Sequence, residues 1–381
     1  MTPLPSSAPC WDLFCAVVDN FGDIGVCWRL ARQLAVEHGI AVRLWVDDLA
    51  AARRLAPEID PTRDVQHLDG VEIRRWTAPL PEIEPGAVVI GAFACALPDA
   101  FVEAMARRAP RPVWINLEYL SAEDWVSGCH GLPSPHPRLP LRQHFFFPGF
   151  DGASGGLLRE ADYAARRAGF EAERFWSTLD LALPTSDELR VSLFAYESPA
   201  LGELLEGWQR GPAPVTCLVP EGRVLPGVAA HFGLRDLRPG DRLQRGALTI
   251  QVLPFVAQQH YDALLWACDL NFVRGEDSFV RAQWAERPFV WQIYVQQDDA
   301  HLEKLDAFLA RFCVGLDGGT AQALGSFWRA WNRGRGVAAA WPAFRDALPA
   351  LAHHAQTWSA TIRGAGDLAG NLVQFCKDAI E

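Results

Sequence analysis

VVDNFGDIGVCWRLARQLAVEHG, residues 17–39, decides how the rest of the chain is read. An apolar run, LFCAVV at 13–18, leads into it, and a run with helical spacing at 24–38 leads out. Strand, turn and helix in that order open a nucleotide-binding sheet, but the glycines do not fit one. A dinucleotide fingerprint reads GxGxxG here. This turn offers only Gly22-Asp23-Ile24-Gly25, with Asp19 and Asp23 inside it. Carboxylates repel a pyrophosphate, so the turn is expected to hold something other than a nucleotide. Asp23 has two readings: a helix cap accepting backbone N–H groups, or a group with chemistry to perform. Asp19, at the strand end, is harder to read as a cap and can face a cleft.

Outward from this turn, short apolar runs alternate with amphipathic ones, which predicts repeated βα units and parallel sheets covered on both faces. In the first half, strands are expected at 13–18, 41–46, 71–76, 87–93 and 112–119, with helices at 24–38, 49–56 and 98–108. Residues 121–156 are rich in Gly, Pro, Ser and His and read as a functional loop or a domain crossing. A helix is expected over 160–179. The βα rhythm then restarts, with strands at 189–196, 215–220, 248–256, 270–273 and 289–294 and helices at 200–209, 259–268, 278–286 and 300–312. The tail from 319 to 381 reads as all helical, in pieces. The simplest architecture is two doubly wound α/β domains with a cleft between them, and ligands in such folds sit at the carboxyl ends of strands, at a topological switch point.

Composition narrows the function. The 381 residues are half hydrophobic, enough for a sizeable core and for two domains. Most of the 15 tryptophans are read as core filling. A formal net charge of −11 speaks against general nucleic-acid binding, which needs a basic face. The nine cysteines are scattered, odd in number and without a CxxC pair, as expected of reduced thiols in a cytoplasmic protein with no zinc site. MTPLPSSAPC has neither a basic nor an apolar signal-peptide region, and no apolar run approaches a membrane span.

Two further stretches carry candidate chemistry. In LRVSLFAYES (189–198), alternation puts Ser192, Phe194 and Tyr196 on one face. The two aromatics read either as core or as a platform for a nucleobase. In LPFVAQQHYDALLWACDLNFVRGEDSFVRAQWA (253–285), a strand runs into Arg274-Gly275-Glu276-Asp277-Ser278 and then a helix. Gly275 permits a tight turn, and Asp277 and Ser278 are good N-cap types. A helix N-terminus beside an arginine suits a diphosphate. Glu276 and Asp277 would oppose a phosphate and are expected to accept from sugar hydroxyls. The other reading is a capped helix with a solvated charge cluster. His260, His301, His353 and His354 show no ligand spacing.

Here the chain resembles a known family. VVDNFGDIGVCWRLARQL (17–34), INLEYLSAEDW (115–125) and DLNFVRGEDSFVRAQWA (269–285) are similar to the signatures of the EarP family, bacterial protein-arginine rhamnosyltransferases that modify elongation factor P. The resemblance runs over essentially the whole length. It implies a GT-B glycosyltransferase fold, two Rossmann-like domains facing across a cleft. The acceptor-side domain would span 1–158, with a C-terminal helix at about 362–381 packing back on it, and the nucleotide-sugar domain would span 180–361. The donor implied is dTDP-β-L-rhamnose and the acceptor one arginine of elongation factor P. The product implied is an α-rhamnosyl arginine, formed with inversion and without metal or cofactor. The family's catalytic carboxylates fall on Asp19, Asp23 and Glu276. Its base-stacking pair falls on Phe194 and Tyr196, and its other donor contacts on Phe255, Gln258, Tyr261, Arg274, Asp277 and Ser278.

That function explains acids in the turn. A guanidinium is always charged and its lone pairs are delocalised. Carboxylates grip it through paired hydrogen bonds and fix one nitrogen toward the sugar. Asp23 is taken as the base, with Asp19 and Glu276 orienting. Three alternatives stand beside this one. A Rossmann-type oxidoreductase lacks its fingerprint here; a two-lobed binding protein would bind a basic loop without consuming a sugar nucleotide; another GT-B enzyme would use a different sugar, since Phe194 and Tyr196 stack on any pyrimidine.

Overall fold

The first strand, β1 (Cys10–Cys15), opens at Cys10 rather than at Leu13, because the Asp12 in its middle is a buried carboxylate with a full set of partners. Its oxygens accept from Arg43 Nε and Nη2 (2.7 Å each), Trp45 Nε1 (2.9 Å) and Gly86 N (2.7 Å). A buried charge is tolerated when paired in this way. The computed structural model of the protein describes residues 10–18, 21–181, 183–185, 187–296 and 299–380. The chain divides into two units, one formed by Met1–Ala161 with Ile362–Glu381 and the other by Asp162–Thr361.

In the first unit β2 (Ala41–Val46), β3 (Val65–Leu68), β4 (Val71–Arg75), β5 (Val88–Ala92), β6 (Val113–Leu117), β7 (Pro133–Pro135) and β8 (Arg142–Phe146) follow β1. They form an eight-stranded sheet in the order β3-β4-β2-β1-β5-β6-β8-β7. Every pairing is parallel except β3 with β4 and β7 with β8, so the antiparallel strands lie at the edges. The parallel strands walk outward from β1 to β4, then return and continue from β5 on the other side of β1. The order therefore reverses between β1 and β5, the switch point of a Rossmann-like sheet.

The second unit repeats the plan with β9 (Leu189–Leu193), β10 (Val215–Pro220), β11 (Arg242–Arg245), β12 (Leu248–Leu253), β13 (Leu270–Arg274) and β14 (Phe289–Gln292). The order is β11-β12-β10-β9-β13-β14, antiparallel only at β11. Its switch point lies between β9 and β13, paired Leu193 to Phe272. Trp45, Trp176, Trp208, Trp284, Trp328 and Trp331 are fully buried, as core filling requires. All nine cysteines are free. Among the described residues no helix is long and apolar enough to cross a membrane.

Three expectations are corrected. Residues 121–156 are not an aperiodic loop: they contain a helical turn (Val126–Cys129), β7 and β8, and β8 is the outermost parallel strand, paired to β6. The expected helix over 160–179 is two, Tyr163–Ala168 and Ala172–Thr178, parted at Gly169. The strand expected at 189–196 stops at Leu193. The tail is helical, as Gly318–Arg333, Val337–Ile362 and Leu368–Ile380. The last helix belongs to the first unit. Asp367 at its start accepts from Gln33 Nε2 (2.7 Å), Leu368 N donates to Leu157 O (3.1 Å), and Asn371 Nδ2 donates to Gly155 O (3.0 Å).

Candidate active site

In the second unit the expected donor residues gather at the carboxyl ends of β9, β12 and β13. Phe194 and Tyr196 follow β9 in irregular backbone, so strand alternation does not align them. What aligns them is Arg274, the last residue of β13. Its guanidinium carbon lies 4.6 Å from the centre of each ring, and the residue is 5% exposed. Two ring faces hold this cation away from water, where it attracts an anion more strongly than an exposed arginine does. The ring of Tyr261 meets Phe194 edge to face at 5.6 Å. Its hydroxyl is buried without a hydrogen-bond partner among the described residues. Burial first, and the neighbouring Asp277 second, push that hydroxyl well above the ordinary tyrosine range.

The turn after β13 is drawn tight. Gly275 has φ +58°, which a glycine adopts without strain. Ser278 Oγ donates to Arg274 O (2.6 Å) and accepts from Arg274 N (3.0 Å). The expected cap is thus corrected: Ser278 closes the turn instead, because its hydroxyl is taken by both backbone groups of Arg274. The N-cap of the helix Asp277–Trp284 is Glu276, half-buried and without a side-chain cap bond. Asp277 Oδ2 accepts from Gln258 Nε2 (2.9 Å) and Arg281 Nε (3.3 Å). Gln258 opens the helix Gln258–Ala267, and Phe255, half-buried, lies in the segment leading to it.

Sequence reading missed the residues that position these. Gln292 ends β14, and its Oε1 accepts from Tyr196 N (2.8 Å). Asp262 is 1% exposed and accepts from Arg281 Nη1 (3.0 Å) and Arg166 Nη1 (2.8 Å). The available signals were a glutamine closing an otherwise apolar strand, and the spacing Gln258/Asp262 and Asp277/Arg281, four residues apart on two helices.

In the first unit Asp23 lies in the first turn of the helix Gly22–Val36 and is 2% exposed. The cap reading is corrected here too. Phe21 is the N-cap, and Asp23 Oδ2 accepts from Val18 N (2.8 Å), on the strand side of the turn. Asp19 lies outside the described residues. Two thiols of this unit are held neutral: burial and the adjacent Cys15 push the buried Cys27 well above the ordinary thiol range, and desolvation pushes the half-buried Cys95 up to about 12. Of the two, Cys27 is the one that lies beside the Asp23 carboxylate. Among the described residues no group of three or more His, Cys, Asp or Glu side chains is placed to hold a metal ion.

Comparison with known proteins adds the lineage. A protein-arginine rhamnosyltransferase of Pseudomonas putida is 54% identical over 375 residues, 97% of this chain and 99% of its own. One from Pseudomonas aeruginosa is 52% identical over 373 residues, again 97% and 99%. A solved structure described as the structural basis for EarP-mediated arginine glycosylation of translation elongation factor EF-P matches with a TM-score of 0.68 and 39% identity, covering 97% of this chain and 99% of that chain. The apo structure of UGT2 from Phytolacca americana, 10% identical with a TM-score of 0.53, shares the fold alone. The two Rossmann-like units are thus those of a GT-B glycosyltransferase. The profile of the family described as Elongation-Factor P (EF-P) rhamnosyltransferase EarP matches residues 11–377, and the chain belongs to that glycosyltransferase family.

Proposed function

We propose that the protein transfers L-rhamnose from dTDP-β-L-rhamnose to one arginine side chain of translation elongation factor P, in the cytoplasm. The transfer inverts the sugar to an α-rhamnosyl arginine and uses neither metal nor cofactor. The observation that carries this reading is the contrast between two strand ends, one at the switch point of each sheet. After β1 the chain places the buried acid Asp23, where a nucleotide would be repelled; at the end of β13 it places a cation on two aromatic rings. The names borne by the close relatives support the sugar and the acceptor side chain.

In this reading Phe194 and Tyr196 stack the thymine. Arg274 and the N-terminus of the helix Asp277–Trp284 stabilise the charge that develops on the departing diphosphate. Phe255, Gln258, Tyr261 and Asp277 complete the donor pocket. Ser278 contributes its main-chain N–H, since its hydroxyl is engaged by Arg274. Asp19 and Glu276 hold and polarise the acceptor guanidinium, and Asp23 takes its proton. A carboxylate cannot strip a free guanidinium, whose pKa is higher by about nine pH units. It can take the proton as the C–N bond forms, when the attacking nitrogen has left the conjugated system and become acidic.

Intact-mass measurement of elongation factor P after incubation with the enzyme and dTDP-rhamnose tests the reading. One deoxyhexose is expected on one arginine, equally in excess EDTA. No added mass refutes the reading, and a loss in EDTA restored by magnesium or manganese refutes its metal-free leaving-group chemistry. Phe194→Ala and Tyr196→Ala are each expected to weaken dTDP binding by about 1–3 kcal/mol. Calorimetry measures this, and unchanged affinity in both variants removes the base platform.

A further inference from the structure

The carboxyl edge of the first sheet carries more than Asp23. Four segments leave it, after β1, β5, β6 and β8, which are consecutive neighbours. Their starting points are therefore set at intervals of about 5 Å. Residues 16–26, 117–125 and 147–151 carry Asp or Glu, and neither they nor 92–98 contain Lys, Arg or His. The edge is also aromatic: Tyr119 is 39% exposed and Trp125 51%.

At its middle stands a built feature. Phe93 and Ala94, directly after β5, have φ +57° and +54°, a conformation costly for residues with a side chain, and most of all for a bulky one. The surroundings hold them there. Phe93 N donates to Leu117 O (2.6 Å), and Cys95 Sγ donates to Phe14 O (3.5 Å), tying the turn to β6 and β1. The outcome is that Phe93 stacks on Tyr119, with ring centres 4.5 Å apart and planes at 23°. Beside Tyr119, Glu118 Oε1 accepts from Asn116 Nδ2 (2.6 Å). Asn116 is 6% exposed, and its own carbonyl, on the amide that holds Glu118, has no hydrogen-bond partner among the described residues. A supported, exposed ring face and an oriented carboxylate are together suited to a cation with several N–H donors.

We propose that Tyr119, backed by Phe93 and flanked by Glu118, is the docking face for the basic segment of the acceptor protein that carries the target arginine. Tyr119 stacks on a cationic side chain of that segment, and Glu118 accepts from it. This rests on the function proposed above and adds to it the residues that choose the acceptor.

Tyr119→Ala is expected to raise KM for elongation factor P about tenfold, the effect falling on KM rather than kcat. Affinity for dTDP-rhamnose stays within twofold of wild type. Tyr119→Phe keeps the ring and restores KM. Tyr119→Leu keeps apolar bulk without the ring and follows alanine. An unchanged KM in Tyr119→Ala overturns the inference, and so does a KM restored by leucine. If the alanine variant fails to fold, the leucine variant decides by the same criterion. Wild-type enzyme that adds no sugar overturns the proposed function, and this inference with it. Normal wild-type turnover with indifferent variants overturns the inference alone.

Discussion

Asp23→Asn is expected to slow single-turnover rhamnose transfer by about 10²–10⁴-fold, the range for losing a general base. The substitution is nearly isosteric. Its amide oxygen can go on accepting from Val18 N, so the turn that Asp23 Oδ2 now closes should survive. What it loses is the capacity to take a proton. Affinity for dTDP-rhamnose should hardly change, because the proposed donor contacts all belong to the other unit. The measurement is single-turnover transfer beside donor binding, with circular dichroism to verify folding. If the folded variant turns over at nearly the wild-type rate, Asp23 only shapes the helix start, and the base is Asp19 or Glu276.

Asp262→Ala is expected to be strongly destabilising to the second unit. The Asp262 carboxylate is buried between Arg281 and Arg166, and Arg281 reaches on to Asp277. Removing one partner from a buried ion pair costs about 3–5 kcal/mol, because the remaining charge stays out of water. For a domain of this size that lowers Tm by about 6–20 °C. Donor affinity should fall as well, since Asp277 is held in part by Arg281. Differential scanning calorimetry and dTDP titration measure the two effects. A Tm shift under about 2 °C would show that Asp262 contributes little to the network.

The elements legible in the sequence were those made of continuous apolar runs. AVRLWV and VTCLVP are strands buried in the middle of parallel sheets, and their composition announces it. The strands not anticipated are short, polar or broken by proline: VQHL, PSP, RQHFF and RLQR. Three of these pair antiparallel at an edge, where water satisfies one face. RQHFF was hidden by the Pro- and Gly-rich text before it. At the site, the chemical types at Phe194, Tyr196 and Arg274 could be read, but not their arrangement. Arg274 sits against rings that precede it by about eighty residues, and only the pairing of β13 with β9 brings them together. Asp262 was passed over for the same reason: Arg166 and Arg281 lie 96 and 19 residues away in the chain.

The return of Leu368–Ile380 to the first unit makes Asp162–Thr361 an insertion within it. Synthesis therefore completes the units out of order. As the nascent chain leaves the ribosome, every strand of the β9–β14 sheet emerges before the helix that covers Gln33 and Gly155 exists. The unit with the earlier residues is the later one to be finished. On the roles proposed here, a growing chain can bind its sugar nucleotide before its acceptor side has been fully built.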